Sequence, residues 1–411
     1  MKIAFISYEY PPETAFGGIA TYAQQAVKML SQNDHQVTVI CGTHQENVTQ
    51  MSHNITIHKI HEKNPANFRF SAFNLFKQNY NSNSFDVIEG TDYCASASEI
   101  KKHFPTLPLV VKLHTPSYII EEINKNAPRT YFEKFNQLKI ILGALRRFKR
   151  PKFPALYSSP ISEIEKKGIQ LANNIAAPSL AILNKIKEDL NIDISKFSLV
   201  PYPYQLNKNF IKSSNSTNNN NTITFVGRLE YRKGIIDFIN AIPIVLRTFP
   251  KTKFKVIGKS TTYPYTNLDM KSILVKQLGK HINAVDFIGH QTLESIPHHL
   301  SKSDICVFPS LWESFGLVCC EAMAAGKIVI GSSNGGMVEI LNHGQCGILI
   351  PPKSPKKIAK EIIRCIQNPE LKSKIAAKAK KFIHESFNPQ RILKMQLESY
   401  LNAIEKCNCT N

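Results

Sequence analysis

Segments with the apolar pattern of buried β-strands alternate with segments of helical pattern from one end of this chain to the other. Because a parallel strand needs a helical crossover to reach its neighbour, this alternation predicts an α/β fold of parallel sheets with helices on both faces. In the first half, the strand pattern falls at residues 3–7, 36–41, 86–89, 109–113 and 174–177. In the second half, it falls at residues 223–226, 254–257, 285–288, 305–308, 328–330 and 347–350. The restart predicts two sheets, each in a domain of its own.

Length and one low-complexity stretch set the domain boundaries that we predict. With 411 residues, the chain is long enough for two full hydrophobic cores. Residues 213–222 consist of Ser, Asn and Thr alone, so we interpret them as a surface loop near the domain junction. We therefore predict domains at residues 1–204 and 205–385, followed by a helical segment at 386–411. Two such domains leave a cleft between the carboxyl ends of their sheets, where ligands bind in this kind of fold.

The stretch at residues 308–330 has the pattern of a strand, a short loop, a helix that starts near Gly316, and a second strand. Glu313 and Glu321 frame this helix start. The unpaired N–H groups and the positive dipole end of a helix bind anions, and carboxylates accept hydrogen bonds from sugar hydroxyls. The pair can therefore hold two polyols with a phosphate between them, which is the layout of a nucleotide sugar. An ordinary strand–loop–helix with two solvated acids is the alternative.

A second segment, residues 226–234, ends the first strand of the second domain and leads into a helix. Arg228 offers planar donors suited to phosphate oxygens, and Lys233 places a compact charge beside the helix start. Together they can stabilise a departing nucleoside diphosphate, although ordinary surface charge is the alternative. We interpret Arg232, between them, as a solvated side chain.

Other candidate residues stand where predicted strands end. Gly17 and Gly18 precede the first helix and allow close backbone approach, and Gly258 is a similar position in the second domain. His114 lies at the tip of a buried strand that should open into the cleft. Asp92 also follows a strand, and contact with an acceptor and capping of the next helix are its two interpretations, of which we favour the cap.

The runs Pro-Ser-x-x-Glu-Ser-Phe-Gly, Glu-Ala-Met-Ala-x-Gly and Gly-Arg-Leu-x-x-x-Lys-Gly resemble the retaining glycosyltransferases of family 4. This resemblance implies the GT-B fold, with two Rossmann-like domains that face each other across a cleft. It implies transfer of a hexose-type sugar from a nucleoside-diphosphate sugar, UDP being favoured over GDP. The acceptor would be a glycan or a lipid-linked sugar in cell-surface polysaccharide or glycolipid synthesis. A nucleotide-sugar hydrolase or epimerase of the same fold is the alternative.

The resemblance also implies roles for individual residues. Glu313 would contact the donor hexose and Glu321 the ribose, and Arg228 and Lys233 of the second segment would contact the diphosphate. His114 would lie near the reacting sugar. The remaining donor-binding positions would be Gly17, Gly18, Gly258, Phe315, Gly316 and Leu317. The first domain would take the acceptor and the second the donor, and the last segment would cross back onto the first domain.

We predict no metal ion, and no cofactor beyond the nucleotide sugar as cosubstrate. Metal-dependent transferases commonly present an Asp-x-Asp pair to the cation, and no two aspartates in this chain stand two positions apart. The nine cysteines include no Cys-x-x-Cys pair. Four of them lie in apolar segments and are predicted to be core thiols: Cys306, Cys319, Cys320 and Cys346.

A formal net charge of +20 is compatible with nucleic acid, an anionic membrane or acidic substrates as partners. Alternatively, the charge results from a compositional bias of the chain toward Lys, Asn and Ile. No nucleic-acid recognition motif accompanies the charge, so we predict no nucleic acid. Residues 131–153 join an apolar helical stripe to a basic end, which indicates a helix on an anionic membrane surface; a core-packed helix is the alternative. We recognise no membrane span or secretory signal, and therefore expect a cytoplasmic protein, peripheral on the inner face of the membrane.

Overall fold

A computed structural model of the chain describes residues 1–14, 17–128, 146, 159–204, 221–264 and 266–409. It contains two sheets of mainly parallel strands with helices on their faces, which confirms the predicted fold class. The predicted interfacial segment at residues 131–153 lies outside the described residues except for Arg146. The predicted surface loop at 213–222 also lies outside them except for its last two residues, Asn221 and Thr222.

The first sheet has eight strands in the order β3-β4-β2-β1-β5-β6-β7-β8, and only β3 runs antiparallel to its neighbour. They are β1 (Lys2–Ser7), β2 (Gln36–Thr43), β3 (Val48–Ser52), β4 (Ile55–His61), β5 (Val87–Thr91), β6 (Leu109–Lys112), β7 (Asn174–Ala177) and β8 (Phe197–Leu199). The chain winds outward from β1 to one side and then resumes at β5 on the other. The carboxyl ends of β1 and β5 therefore flank the crevice at which such sheets bind ligands.

Six described helices cover this sheet: α1 (Gly18–Ser31), α2 (Phe68–Asn79), α3 (Ser98–His103), α4 (Ser117–Lys125), α5 (Pro160–Gln170) and α6 (Leu180–Leu190). Local sequence sets where two of them begin. The Ser159 hydroxyl accepts the Ile161 N–H at the start of α5, and the Ser179 hydroxyl accepts the Ile182 N–H at the start of α6. Each serine satisfies a backbone donor that the first turn of a helix leaves unpaired.

The second sheet has six parallel strands in the order β11-β10-β9-β12-β13-β14. They are β9 (Thr222–Val226), β10 (Lys253–Ile257), β11 (Val285–Gly289), β12 (Ile305–Phe308), β13 (Ile328–Ser332) and β14 (Ile348–Ile350). The direction of winding reverses between β9 and β12, so the ends of these two strands flank the second crevice. The four cysteines that we predicted to be core thiols are all buried in this domain.

The helices of the second half are α7 (Ile235–Thr248), α8 (Met270–Leu278), α9 (Ile296–Ser301), α10 (Leu317–Ala324), α11 (Met337–Ile340), α12 (Pro355–Gln367), α13 (Pro369–Ser386) and α14 (Pro389–Cys409). The last three of these helices, α12, α13 and α14, follow one another almost without interruption. Pro369 and Pro389 start new helices because proline lacks the N–H needed to continue an existing one. No helix within the described ranges is long and apolar enough to cross a membrane.

The last helix, α14, packs on the first domain. Its Gln396 and Tyr400 side chains each donate a hydrogen bond of 2.6 Å to the Glu89 carboxylate in β5. Its Ser399 hydroxyl accepts a 2.8 Å hydrogen bond from Asn174 in β7. The end of the chain thus joins the two halves of the molecule.

Candidate active site

The crevices of the two sheets face each other, and loops from both domains touch across the cleft. The Thr115 hydroxyl donates a 3.1 Å hydrogen bond to the Ser314 hydroxyl, and the Ser179 hydroxyl donates a 2.6 Å bond to the Ser314 carbonyl. A Cβ added to Gly18 would lie 3.9 Å from the Leu317 side chain at the start of α10. No heavy atom within the described ranges, apart from the chain neighbours, lies within 4 Å of the equivalent position on Gly17. The glycine pair predicted from sequence therefore faces the α10 start.

Glu313, in the loop between β12 and α10, is buried with only 6% of its surface exposed. Its Oε1 atom lies 3.3 Å from Arg232 Nη1, and its Oε2 atom accepts a hydrogen bond from the Lys233 ammonium group. Burial alone would raise the pKa of this carboxyl, but the charges of Lys233 and Arg232 overcome that effect and lower the pKa to about 2. Glu313 is therefore ionised and fixed in position at neutral pH.

The interpretation of Arg232 as a solvated side chain is wrong. Arg232 is 4% exposed, and its Nη2 atom lies 2.7 Å from Glu230 Oε1 while Nη1 bonds Glu313. A buried guanidinium is stable only when its charge is compensated, and two carboxylates do this here. Arg232 thus holds the Glu313 carboxylate in place from the buried side.

Lys233 and Arg228 supply positive charge to the part of the site that solvent can reach. The Lys233 side chain is 20% exposed and that of Arg228 is 46% exposed, with Arg228 Nη2 at 3.3 Å from Glu230 Oε2. Gly234 follows in a left-handed conformation, with φ +67°, and a Cβ there would lie 1.9 Å from the Pro309 carbonyl oxygen. Only glycine lets the basic loop pack this closely against the end of β12. The glycine in the Arg–Lys motif therefore brings Lys233 to Glu313.

The start of α10 is shaped by Gly316, which has φ +109°. The Phe315 side chain packs in the core, with its ring 4.8 Å from that of Tyr202 and 5.5 Å from that of Phe387, so only its backbone can face the cleft. Glu321 follows on α10 and is half-buried. Burial raises the pKa of its carboxyl to about 7, so this acid titrates near neutral pH.

Gly258 lies at the end of β10 with φ +146°, and a Cβ there would lie 1.9 Å from the Gly227 carbonyl oxygen. The close approach predicted for this glycine is thus made to the neighbouring strand end. It keeps the backbone at Gly227 and Arg228 in its place beside the crevice.

His114 is buried at the tip of β6 and pairs with Asp92. Its Nδ1 atom lies 3.1 Å from Asp92 Oδ1, and its backbone N–H donates a 2.9 Å bond to Asp92 Oδ2. Asp92 makes no side-chain cap on the helical turn that follows, so the interpretation as a cap is wrong. Its carboxylate orients the imidazole, whose buried Nε2 atom has no partner among the described residues.

Sequence reasoning missed a glycine pair in the loop after β13. The Gly336 N–H donates a 2.8 Å hydrogen bond to the Glu313 carbonyl, and a Cβ on Gly335 would lie 2.2 Å from that same oxygen. The loop after β13 therefore packs directly against the Glu313 backbone and supports its position. Adjacent glycines in the loop a few residues after a predicted strand were the signal that could have identified it.

The described residues bring Glu313, Lys233 and Arg228 together beside the start of α10, where loops of the two facing Rossmann-like sheets touch. This arrangement defines the GT-B class of glycosyltransferases. The family "Glycosyltransferase Family 4" matches residues 16–208, and "Glycosyl transferases group 1" matches residues 207–382. The chain belongs to glycosyltransferase family 4.

Known proteins resemble the chain along nearly its whole length. An uncharacterised glycosyltransferase of Methanocaldococcus jannaschii is 25% identical, and the match covers 98% of this chain and 99% of the relative. Sucrose-phosphate synthase from Thermosynechococcus elongatus has the same fold, with a TM-score of 0.72, 18% identity and coverage of 98% and 99%. HepE of Anabaena, solved in complex with UDP-glucose, has a TM-score of 0.66, 18% identity and coverage of 97% and 99%.

Proposed function

We propose that this glycosyltransferase is a retaining, metal-independent hexosyltransferase that uses a nucleoside-diphosphate sugar, with UDP favoured over GDP. Its acceptor is a glycan or a lipid-linked sugar of cell-surface polysaccharide or glycolipid synthesis, at the inner face of the membrane. The observation that carries the proposal is the arrangement of Glu313 and Glu321 on either side of the α10 start, with Lys233 bound to Glu313.

The donor fits this arrangement as three chemical parts. The diphosphate lies at the N-terminus of α10, where backbone N–H groups, Arg228 and Lys233 offer donors and positive charge. Glu321 accepts hydrogen bonds from the ribose, and Glu313 accepts them from the hexose. Since Lys233 bonds Glu313, one side chain links the hexose position to the diphosphate position.

The chemical step separates the hexose from a nucleoside diphosphate that gains negative charge. Preorganised cations and helix-start amides stabilise such charge as it develops, and here they are Arg228, Lys233 and the amides near Gly316. By analogy with the family, the leaving phosphate helps to deprotonate an acceptor that attacks from the same face, which retains the anomeric configuration. His114, held by Asp92, supports the anomeric centre from the first domain.

The preference for UDP is supported by HepE of Anabaena, which has the same fold and was solved with UDP-glucose. Positive charge at the diphosphate comes from side chains, which supports a reaction without a metal ion. The nucleotide-sugar hydrolase or epimerase predicted as the alternative would use the same donor residues.

A donor screen tests the proposal. Thermal stabilisation and hydrolysis are measured with UDP-glucose, UDP-galactose, UDP-N-acetylglucosamine and GDP-mannose, with and without EDTA. We expect stabilisation by a UDP-sugar that survives EDTA, and transfer with retained configuration to one of a panel of octyl glycosides. Loss of turnover in EDTA that magnesium restores would contradict metal independence. Release of free or epimerised sugar, unchanged by any acceptor, would favour the alternative.

A further inference from the structure

Glu9 is a buried carboxylate that the donor site does not use. It lies just after β1, at the switch point of the first sheet, and is 8% exposed. Its Oε2 atom has no hydrogen-bond partner among the described residues. A buried polar oxygen without a partner costs about 1–3 kcal/mol, so folding alone does not account for its presence.

The groups around Glu9 come from both sides of the cleft. The Ala20 N–H, in the first turn of α1, hydrogen-bonds the carboxylate, and Arg228 of the second domain attracts it. On the first domain, Glu9 acts electrostatically on Tyr8, next to it, and on Tyr93, which follows β5. Burial raises the pKa of the Glu9 carboxyl to about 7, against the opposing effect of Arg228. Glu9 stands at the carboxyl end of β1, on the edge of the first sheet that borders the cleft, and it interacts electrostatically with Arg228 of the second domain.

The Ala20 N–H at the start of α1 hydrogen-bonds the Glu9 carboxylate, but the Oε2 atom has no partner among the described residues. His114 shows the same combination at the same edge of the sheet, because its Nε2 atom is also buried and lacks a partner within the described part of the chain. The contact between Thr115 and Ser314 closes the cleft beside His114 in this structure. Glu9 and His114 thus each hold a buried, unpaired polar atom near the strand ends of the first sheet that border the cleft.

The chemistry of the partner follows from charge. A carboxylate repels the donor diphosphate, so its ligand is a neutral hydrogen-bond donor such as a sugar hydroxyl. On the proposed function, the hydroxyls of the donor are held by Glu313 and Glu321 of the second domain. The free hydroxyls that approach from the first domain are those of the acceptor.

We propose that Glu9 is an acceptor-binding residue: its Oε2 atom accepts a hydrogen bond from a hydroxyl of the acceptor sugar and orients the acceptor toward the donor. This proposal rests on the proposed function. It assigns Glu9 to recognition of the acceptor and gives it no part in donor binding.

The test compares Glu9→Gln with Glu13→Gln. Glu13 stands in the same loop, but its carboxylate is already paired with Lys59 at 3.0 Å, so it serves as the matched control. The probes are UDP-glucose, or the nucleotide sugar that best stabilises the wild type, and an octyl glycoside that the wild type glycosylates. For Glu9→Gln we expect kcat/KM for the octyl glycoside to fall about tenfold or more. Donor hydrolysis without acceptor, and thermal stabilisation by the donor, should change less than twofold.

Several results would overturn the inference. Acceptor kcat/KM within twofold of wild type in Glu9→Gln would do so, as would an equal loss of donor hydrolysis, which would indicate a donor or structural role. Should Glu9→Gln fail to unfold cooperatively, Glu9→Asp keeps the charge but withdraws the oxygens, and the same selective loss is then required. Failure of the proposed function would give a different result, because the wild-type protein would then bind no nucleotide sugar. Thermal stabilisation of the wild type by the donor measures this binding separately.

Discussion

Glu313 and Glu321 have opposite electrostatic environments, although both belong to one sequence motif. Glu313 is ionised by two neighbouring cations, one of them buried, whereas Glu321 has no ion pair among the described residues. Removing the charge of Glu313 would leave Glu230 as the one carboxylate paired with buried Arg232 among the described residues.

The first prediction separates stability from activity at these two positions. Glu313→Gln should lower both donor turnover and the free energy of unfolding, the latter by about 1–3 kcal/mol, because a buried cation loses a charged partner. Glu321→Gln should lower turnover by more than tenfold with little loss of stability. Urea unfolding and kcat/KM for the donor are measured on both. Equal stability loss in the two variants would show that the ion pairs at Glu313 do not matter to the fold.

The second prediction concerns pH and Glu321. Its pKa is raised to about 7, so the stabilisation that this group contributes is complete below its unfolded pKa and is lost as pH rises through 7. If Glu321 binds the ribose as proposed, the pH dependence of donor binding should have the opposite sign, because hydroxyls form stronger hydrogen bonds with an ionised carboxylate. We expect KM for UDP-glucose to fall from about pH 6 to about pH 8.

Donor hydrolysis without acceptor is the suitable assay, because Glu9 also titrates near 7 and belongs to the acceptor side in our proposal. The ligand in this assay is a nucleotide sugar and not UDP, because the terminal phosphate of UDP itself has a pKa of about 6. The pH dependence of the donor KM should disappear in Glu321→Gln. Its persistence there would assign the titration to another group.

At the scale of the elements, the position of α10 depends on the glycine loop behind it. A Cβ on Gly335 would approach both the N and O atoms of Glu313, at 2.9 and 2.2 Å. This contact is with backbone, which cannot rotate away, so the loop that carries Glu313 and Ser314 would have to shift. The helix start and the first glutamate of the motif would then move together.

The third prediction is that Gly335→Ala reduces donor turnover by at least about tenfold, because a displacement of about 1 Å in a site can cost a hundredfold. Gly326→Ala is the matched control. It places alanine at a similar positive φ, +70° compared with +85°, where no non-adjacent residue that the structure describes comes within 4 Å of the new Cβ. Both variants should lose stability from backbone strain, but Gly326→Ala should keep its activity. Comparable activity in the two variants would show that the loop containing Gly335 does not hold the donor site in position.

Much of this element-level picture was predictable from the chain. Buried parallel strands are continuous apolar runs, so most of the strands were located within two or three residues of their observed bounds. Three strands escaped detection. All five residues of β3 are exposed at a sheet edge, the buried residues of β4 include His58 and Lys59 and so form no continuous apolar run, and β8 has only three residues. An apolar pattern reports burial, and an edge strand is held by backbone hydrogen bonds instead.

The electrostatics of the site could not be predicted in the same way. The sequence places Arg232 beside Lys233, but whether a long side chain turns inward depends on carboxylates distant in the chain, such as Glu313. Asp92 and His114 are likewise 22 residues apart and meet only because β5 and β6 are neighbours. Motifs therefore identified the residues, while their charge states needed the three-dimensional arrangement.

At the scale of the whole molecule, the net charge of +20 bears on where the enzyme works. The basic cluster that follows the apolar stripe lies in residues 131–153 and consists of Arg146, Arg147, Lys149, Arg150 and Lys152. Each basic residue near an anionic surface contributes about 1 kcal/mol to binding. We therefore expect the first domain to dock on an anionic membrane.

The fourth prediction tests this with liposomes. The protein should cosediment with vesicles that contain phosphatidylglycerol, less so as salt is added, and little when the five basic residues become glutamine. The control removes equal charge from α13 by changing Lys372, Lys374, Lys378, Lys380 and Lys381 to glutamine. Indifference to lipid charge, or the same loss in both variants, would leave a core-packed helix or general charge as the explanation.

The hydrogen bonds from α14 to Glu89 have a consequence for how the protein is made. Glu89 is fully buried beside Lys112, and its partner Gln396 follows it by 307 residues. Domains ordinarily fold one after another as a ribosome releases them, the amino-terminal one first. Here the interior of the first domain lacks two hydrogen-bond donors until α14, which follows the second domain in the chain, has been synthesised. Translation of the whole second domain must therefore be completed before the first can mature, and a nascent chain that stops early carries an unfinished core at its beginning.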